Sequence, residues 1–374
     1  MICRLYPARL AGTVTVPESK SAWHRALICR YLAGQPLPET LSGDDVGRTL
    51  AGLRALADRA PVVDCRASGA TLRFLLPLGM ALGCVGTVFT GVPRLLQRPL
   101  SAPYPVERTA EGYRIVSPLT AGRFFLRGDE TSQTISGLMM ALPLLDTPSE
   151  LILTTPLVSR AYVDMTVDTL RRHGVTIVET AEGWHIPAPQ RFCPAEYAIE
   201  GDWSAGSWWL TMDALQYGGI AVRGLRTDSR QSDRAITDYI VHLPETVDIS
   251  RTPDLLPTLA LLATQRRQTT RFVSGGYLRH KESDRLHTVA AMLAALGAAV
   301  EELPDGLRIE GGAPLHGGVT LDACGDHRIA MLCACAALLC DEPVILCGGE
   351  CISKSYENFW RDYIALGGKM EDIQ

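Results

Sequence analysis

Six times along the chain, a short polar cluster opens directly into an apolar run of helical length. The runs are SKSAWHRALICRYLA from Ser19, ASGATLRFLLPLGMAL from Ala67 and ETSQTISGLMMALPLL from Glu130. They continue with DWSAGSWWLTMDAL from Asp202, TPDLLPTLALLAT from Thr252 and CGDHRIAMLCACAALL from Cys324. Apolar residues fall on nearly every side of these runs rather than along one stripe, which predicts core helices instead of surface ones. Six such helices predict six β/α units. At 374 residues the chain exceeds one ordinary core, and that length favours about two domains. Three units then fall in each of two lobes, an N-terminal one over 17–201 and a C-terminal one over 202–374. The strand-like opening, 1–16, returns to the C-terminal lobe.

A weaker repeat supports the same plan. HGVTIVETAEGWHI (173–186) and LGAAVEELPDGLRI (296–309) align without a gap, and TAEGYRIV (109–116) resembles their ends. Gly174 and Gly297 suit left-handed helix caps, and Gly183 and Gly306 suit hairpin turns.

Ser, Thr and Asp at the helix starts are ordinary N-caps. The cations there are harder to explain. Lys20, Arg25, Arg73 and Arg328 sit where the helix macrodipole disfavours positive charge, and an anion between them and the exposed N–H groups would reconcile the two. RHKESDRLHTVAAMLAALG (279–297) adds Lys281 and Arg285 at i and i+4 with Glu282 between them, after a cation run of Arg279, His280 and Lys281. A solvated ion-paired turn accounts for that cluster. So does an anion site with a carboxylate beside a lysine for acid–base work. Asp254 heads the apolar LLPTLALLAT either as an N-cap or as a general base tuned by its surroundings. GDHR (325–328) supplies Arg328, ISKSYENF (352–359) supplies Lys354, and GVPRLLQRPL (91–100) supplies Arg94 and Arg98.

The net charge of −5 argues against a general nucleic-acid or membrane-surface binder, although a local basic pocket can oppose the global sign. No apolar stretch reaches a membrane span, and the opening residues lack a signal-peptide pattern. The 11 scattered cysteines form no CxxC ligand pairs, so buried free thiols in a reducing cytosol are expected rather than zinc. GDDVG (43–47) lacks the remaining ligands of a calcium loop. No GxGxxG, phosphate-loop or GxSxG pattern is present.

Taken together and in order, nine segments resemble the family of 3-phosphoshikimate 1-carboxyvinyltransferases, the EPSP synthases. They are SKS…HR, SGATLR, GVPRLLQRP, TSQ, VSRAYVDMT, PDLLP, KESDR, GDHRIAM and SKSYENF, collinear from Lys20 to Lys354. The resemblance implies an α/β, two-lobed inside-out barrel of repeated βαβαββ units, with the active site in the interlobe cleft. It implies transfer of the enolpyruvyl group of phosphoenolpyruvate to the 5-hydroxyl of shikimate 3-phosphate, on the route to chorismate and aromatic amino acids. No metal or organic cofactor is implied, and a cytoplasmic monomer acting on these two small molecules, without nucleic acid or membrane, is expected.

Carried over position by position, Lys20, Ser21, Arg25, Thr131, Ser132, Gln133, Ser159, Tyr162, Asp254, Tyr277 and Lys281 are expected at shikimate 3-phosphate. Lys20, Gly69, Arg98, Gln133, Arg285, Arg328 and Lys354 are expected at phosphoenolpyruvate. Asp254 and Glu282 match the family's acid–base carboxylates, with Lys20 and Lys281 as catalytic cations.

The sequence departs from the family pattern at Glu18, Trp23, His24, Arg66-Ala67 and Gly325. It is also short within 46–64 and 203–253, so one or two units are expected to have lost strands. Two alternatives stand beside this reading. One is a catalytically impaired anion-binding homologue. The other is the sister enzyme acting on UDP-N-acetylglucosamine, which favours Asn where Ser21 follows Lys20 and uses a loop cysteine absent from 91–100.

Overall fold

The computed structural model describes residues 1–41 and 43–373. The chain divides into two compact units, a discontinuous one of Met1–Ser19 with Glu200–Gln374 and a contiguous one of Lys20–Ile199.

The discontinuous unit opens with β1 (Ile2–Tyr6) and β2 (Gly12–Thr15). The contiguous unit follows with α1 (Lys20–Leu32), α2 (Asp44–Ala57), β3 (Val62–Asp64), α3 (Gly69–Ala81), β4 (Val88–Thr90), α4 (Pro93–Gln97), β5 (Val106–Arg108) and β6 (Gly112–Ile115). It ends with β7 (Arg123–Leu126), α5 (Ser132–Ala141), β8 (Ser149–Leu153), α6 (Arg160–Arg172), β9 (Val178–Glu179) and β10 (Gly183–Ile186). Its two sheets share one topology. β3 is parallel to β4, β4 antiparallel to β6, and β6 antiparallel to β5; β7, β8, β10 and β9 repeat the order. Parallel neighbours require a crossover, and the buried helices α3 and α5 supply it. The product is two copies of a βαβαββ unit.

The discontinuous unit resumes with α7 (Trp203–Leu215), β11 (Ile220–Arg223), α8 (Ile236–Val241), β12 (Thr246–Asp248), α9 (Leu256–Thr264), β13 (Thr269–Val273), α10 (Arg285–Ala295), β14 (Ala299–Leu303) and β15 (Gly306–Glu310). It closes with β16 (Thr320–Asp322), α11 (His327–Ala337), β17 (Val344–Cys347), α12 (Phe359–Ala365) and β18 (Lys369–Asp372). The order β12-β13-β15-β14 is a third complete unit. The fourth is β16-β17-β1-β18, in which the N-terminal strand takes the place a last hairpin strand would fill.

Two units are reduced. β2 pairs in parallel with β11, α8 follows, and the chain passes into β12 with no hairpin between among the described residues. Likewise α2 passes directly into β3. The hairpin strands are thus absent, among the described residues, from one repeat in each unit, within the segments whose shortness the sequence shows.

All six apolar runs form helices, and α3, α5, α9 and α11 are buried on almost every face. Ser68, Thr131, Asp202 and Asp326 accept backbone N–H bonds as N-caps. Gly174 (φ 78°) and Gly297 (φ 90°) take the left-handed conformation after their helices, as the repeat predicts. Gly112, Gly183 and Gly306 serve a different purpose from turning. A Cβ on them would lie 1.9, 2.1 and 1.9 Å from the carbonyl oxygens of Phe89, Leu151 and Phe272, so each lets a hairpin strand press against its sheet neighbour. All eleven cysteines are free, and Cys193 and Cys324 depart from the expectation of burial by being exposed. Among the described residues no helix is long and apolar enough to cross a membrane.

Candidate active site

In the contiguous unit the expected residues gather at the starts of α1, α3 and α5. Lys20, the first residue of α1, places Nζ 3.1 Å from Asp45 Oδ2 at the start of α2. Gly69 is the first residue of α3. A Cβ there would fall 2.9 Å from an Arg73 guanidinium nitrogen and 3.0 Å from one of Arg98. Two guanidinium groups therefore converge on one helix N-terminus, where only an anion makes their proximity favourable. Burial, followed by the neighbouring Arg98, pulls the Arg73 group down to about 9. Gln133, next to the α5 cap, is oriented by Arg73, which donates to its Oε1 at 3.4 Å and to the Pro99 carbonyl at 2.6 Å. Thr131 is itself that cap, its Oγ1 accepting from Gln133 N at 3.2 Å, and Ser132 follows as the first helical residue. Ser159, buried before α6, has φ 57° and ψ 37°, a left-handed conformation that a serine adopts at a cost.

Arg25 is 3% exposed and turned into its unit. It donates to Thr166 Oγ1 at 2.7 Å, to the Ser21 carbonyl at 2.6 Å and to the Tyr162 carbonyl at 2.7 Å. Backbone and hydroxyl acceptors thus hold three donors of Arg25, and the Gly69 and Pro99 carbonyls hold two of Arg73. The Arg25 guanidinium keeps two further N–H groups beyond its three bonds.

In the discontinuous unit the expected groups form one ionic lattice. Arg285, 1% exposed at the start of α10, lies 3.1 Å from Asp254 Oδ1, 2.7 Å from Glu282 Oε2 and 3.0 Å from Asp326 Oδ2. Arg328 reaches Asp254 Oδ2 at 3.1 Å, and Lys354 reaches Glu282 Oε1 at 3.1 Å. Burial opposes the Arg285 charge, but Asp326, Glu282 and Asp254 more than offset it and hold the group firmly cationic. Asp254 does not cap its helix. It sits inside the 3-10 turn Pro253–Leu255 ahead of α9, where Thr252 precedes it and no side chain caps, and both its oxygens are drawn to guanidinium groups. Lys281 stands half-buried with Nζ 5.9 Å from the centre of the Tyr277 ring. Arg279 is structural: it pairs with Asp284 at 3.0 Å and Glu302 at 2.6 Å, which supplies the anion its cation run lacked in the sequence.

Three participants escaped the sequence reading. Asp45, in the GDDVG segment weighed only as a calcium loop, is the counter-ion of Lys20. Asp326 anchors Arg285 from behind, 0% exposed, while capping α11. Asp233, 2% exposed, shares Ser204 with Arg328. An aspartate among apolar core neighbours is a signal, but nothing local says which distant cation it will meet. Among the described residues, no group of three or more His, Cys, Asp or Glu is placed to hold a metal ion.

The family model for EPSP synthase (3-phosphoshikimate 1-carboxyvinyltransferase) matches residues 6–243 and 241–363. The 3-phosphoshikimate 1-carboxyvinyltransferase of Clostridium kluyveri is 36% identical over 417 residues, covering 98% of this chain and 97% of the relative. That span is longer than this chain, in keeping with its reduced units. The enzyme of the same name from Clostridium acetobutylicum is 35% identical, covering 99% and 98%. An EPSP synthase structure from Acinetobacter baumannii superposes with a TM-score of 0.76 at 18% identity, over 99% of this chain and 100% of that one, which establishes the fold. A fold of repeated βαβαββ units, a family match across most of the residues and relatives above 30% identity over nearly the full length lead to one conclusion: the chain belongs to the EPSP synthase family.

Proposed function

We propose that this protein transfers the enolpyruvyl group of phosphoenolpyruvate to the 5-hydroxyl of shikimate 3-phosphate, releasing inorganic phosphate. The observation that carries the reading is a pair of carboxylates, each suspended between two cations: Asp254 between Arg285 and Arg328, and Glu282 between Arg285 and Lys354. Two ionised carboxylates beside three cations are what a cofactor-free transfer between phosphorylated acids requires. The cations accept substrate charge, and the carboxylates then become available to move protons.

In the addition step the hydroxyl oxygen bonds to C2 of phosphoenolpyruvate. Its proton passes to Asp254, with Lys281 assigned to the same hydroxyl, while the methylene carbon gains a proton from the Lys354 ammonium, directly or relayed through Glu282, to which it is paired at 3.1 Å. Elimination returns that proton from the new methyl group, and the C2–O bond breaks with its electron pair leaving on phosphate. Clamping both substrates supplies the orientation such a bimolecular addition needs. Lys20, Gly69 and Arg98 with the starts of α3 and α5 are assigned to substrate anions, and Ser159, Tyr162 and Tyr277 to the shikimate ring.

Phosphate release under steady-state conditions tests this. Release should require both substrates, stop when shikimate 3-phosphate is omitted or replaced by UDP-N-acetylglucosamine, and fall at least about a hundredfold in Asp254→Ala. Wild-type turnover by that variant would remove Asp254 from any proton transfer, and no release with both substrates would leave an anion-binding homologue.

A further inference from the structure

Asp233 lies in the 3-10 turn Ser232–Ala235 of the reduced repeat, and its side chain is buried. Four groups face it. Ser204 of α7 donates its hydroxyl to Oδ2, and Ser232 of its own turn donates to Oδ1 at 3.2 Å. Arg328 of α11 donates to the same Ser204 oxygen at 3.2 Å. Asp254, from the turn before α9, holds that guanidinium at 3.1 Å. A further charge that acts on it is Asp202, the α7 cap, whose Oδ1 is engaged with Ala205 N at 3.0 Å. Asp233 and Asp254 are thus two carboxylates arranged around the Arg328 charge, one in direct contact and one through a hydroxyl.

We infer that Asp233 is a proton-linked positioning residue: an anion that settles on Arg328 draws one proton from solvent onto Asp233. The inference rests on the reading above, in which Arg328 receives a phosphate or carboxylate of the substrate. Burial and the repulsion of Asp254 already raise the Asp233 carboxyl to about 7, against the opposing pull of Arg328 and Ser204. A bound anion cancels the Arg328 contribution and adds repulsion of its own. Neutralising the carboxyl then removes the one unfavourable charge that the ligand meets through Ser204. The proton belongs on Oδ1, towards Ser232, because Oδ2 goes on accepting from Ser204. Ser204 in turn keeps accepting from Arg328, so the guanidinium is held in place throughout. By linkage, anion binding weakens as pH rises above neutrality, by up to tenfold per unit, and is insensitive to Asp233 below about pH 6.

The experiment is calorimetric titration of the full-length protein with phosphoenolpyruvate alone, at pH 7.5, in buffers of different ionisation enthalpy. The wild type should take up a substantial fraction of a proton. Asp233→Asn should bind without that uptake, and about tenfold more tightly than wild type at pH 8.5 but equally at pH 6. The ligand ionises identically in both proteins, so the difference isolates the carboxyl. Ser204→Ala, which keeps the carboxyl and cuts its bridge to Arg328, should reduce the uptake. Equal proton uptake by wild type and Asp233→Asn overturns the inference while leaving the substrate reading intact. Binding by wild type that Arg328→Ala leaves unchanged overturns the substrate reading itself, and this inference with it.

Discussion

Gly69 shows how narrow the tolerance is at single positions. Its missing Cβ leaves room for two guanidinium groups, those of Arg73 and Arg98, within about 3 Å of the same point. Gly69→Ala forces at least one of them aside, and Arg73 is the less movable because its donors are bound to the Gly69 and Pro99 carbonyls and to Gln133. Displacement therefore falls on Arg98. The Michaelis constant for phosphoenolpyruvate should rise at least tenfold, about 1.4 kcal/mol, with little change in thermal midpoint, and steady-state kinetics beside a melting curve checks both. Arg285 is the opposite case. It lies between three carboxylates, Asp254, Glu282 and Asp326, and is almost wholly buried. Arg285→Ala leaves the fully buried Asp326 without its cation, beside Asp254 and Glu282, which keep Arg328 and Lys354, a loss of roughly 3–5 kcal/mol. Glu282→Gln leaves Arg285 paired with Asp254 and Asp326 and should cost far less. Urea denaturation of the two variants should separate them clearly, and similar midpoints would mean that water replaces the guanidinium at small cost.

Helices are joined by what their polar starts share. His24 of α1 lies 2.7 Å from Thr49 Oγ1 of α2, which lies 2.7 Å from Thr71 Oγ1 of α3, which donates to the α3 cap Ser68 at 2.8 Å. The chain of hydroxyls sets the relative position of the helices that carry Lys20, Asp45 and Gly69. It also gives His24, one of the departures from the family pattern, a physical role. Burial, with Lys20 and Arg25 adding to it, lowers the His24 imidazole to about 3. The folded protein therefore binds fewer protons than the unfolded chain between about pH 3 and 6.5, and its stability must fall as pH drops through that window. Relative to His24→Asn, which does not titrate, the wild type should lose about 2 kcal/mol between pH 7 and pH 5. Urea midpoints at the two pH values check it, and parallel curves would mean that His24 takes up its proton as readily in the folded protein as in the unfolded chain. This level also shows where sequence reading succeeds. Buried helices, their N-caps and the glycines Gly174 and Gly297 that end them follow from local pattern, because apolar periodicity and chain direction decide them. The direction of a long side chain does not. Nothing local in the sequence shows that Arg25 and Arg73 donate to carbonyls, or that Asp45 approaches Lys20 and Asp233 reaches Arg328 through Ser204. Only tertiary packing decides these partners.

Across the whole molecule the two units are separate in the terms that govern folding. One apolar core draws only on residues of 1–19 and 200–374, the other only on residues of 20–199, and they share no member. The contiguous unit keeps two complete four-stranded sheets of its own. Its reduced repeat, α1 and α2, has no strand among the described residues, so something else must tie it down. Arg25 binds α1 to α6 through Thr166 and the Tyr162 carbonyl. Gln35 does the rest: its amide accepts from Ala195 N at 3.1 Å and donates to Ala195 O at 3.3 Å, as a neighbouring strand would. Arg30 adds an ion pair to Glu196 at 3.1 Å. We therefore propose residues 20–199 as a body that folds alone. The fragment should show a single cooperative urea transition followed identically by far- and near-ultraviolet circular dichroism. A fragment ending at residue 190 loses Ala195 and Glu196 but none of the sheets, so its transition should shift to lower urea without vanishing. Were 20–199 to unfold gradually, or only its far-ultraviolet signal to persist, the core of this unit would depend on the rest of the chain, and the repeat would not be the unit of stability that its topology makes it.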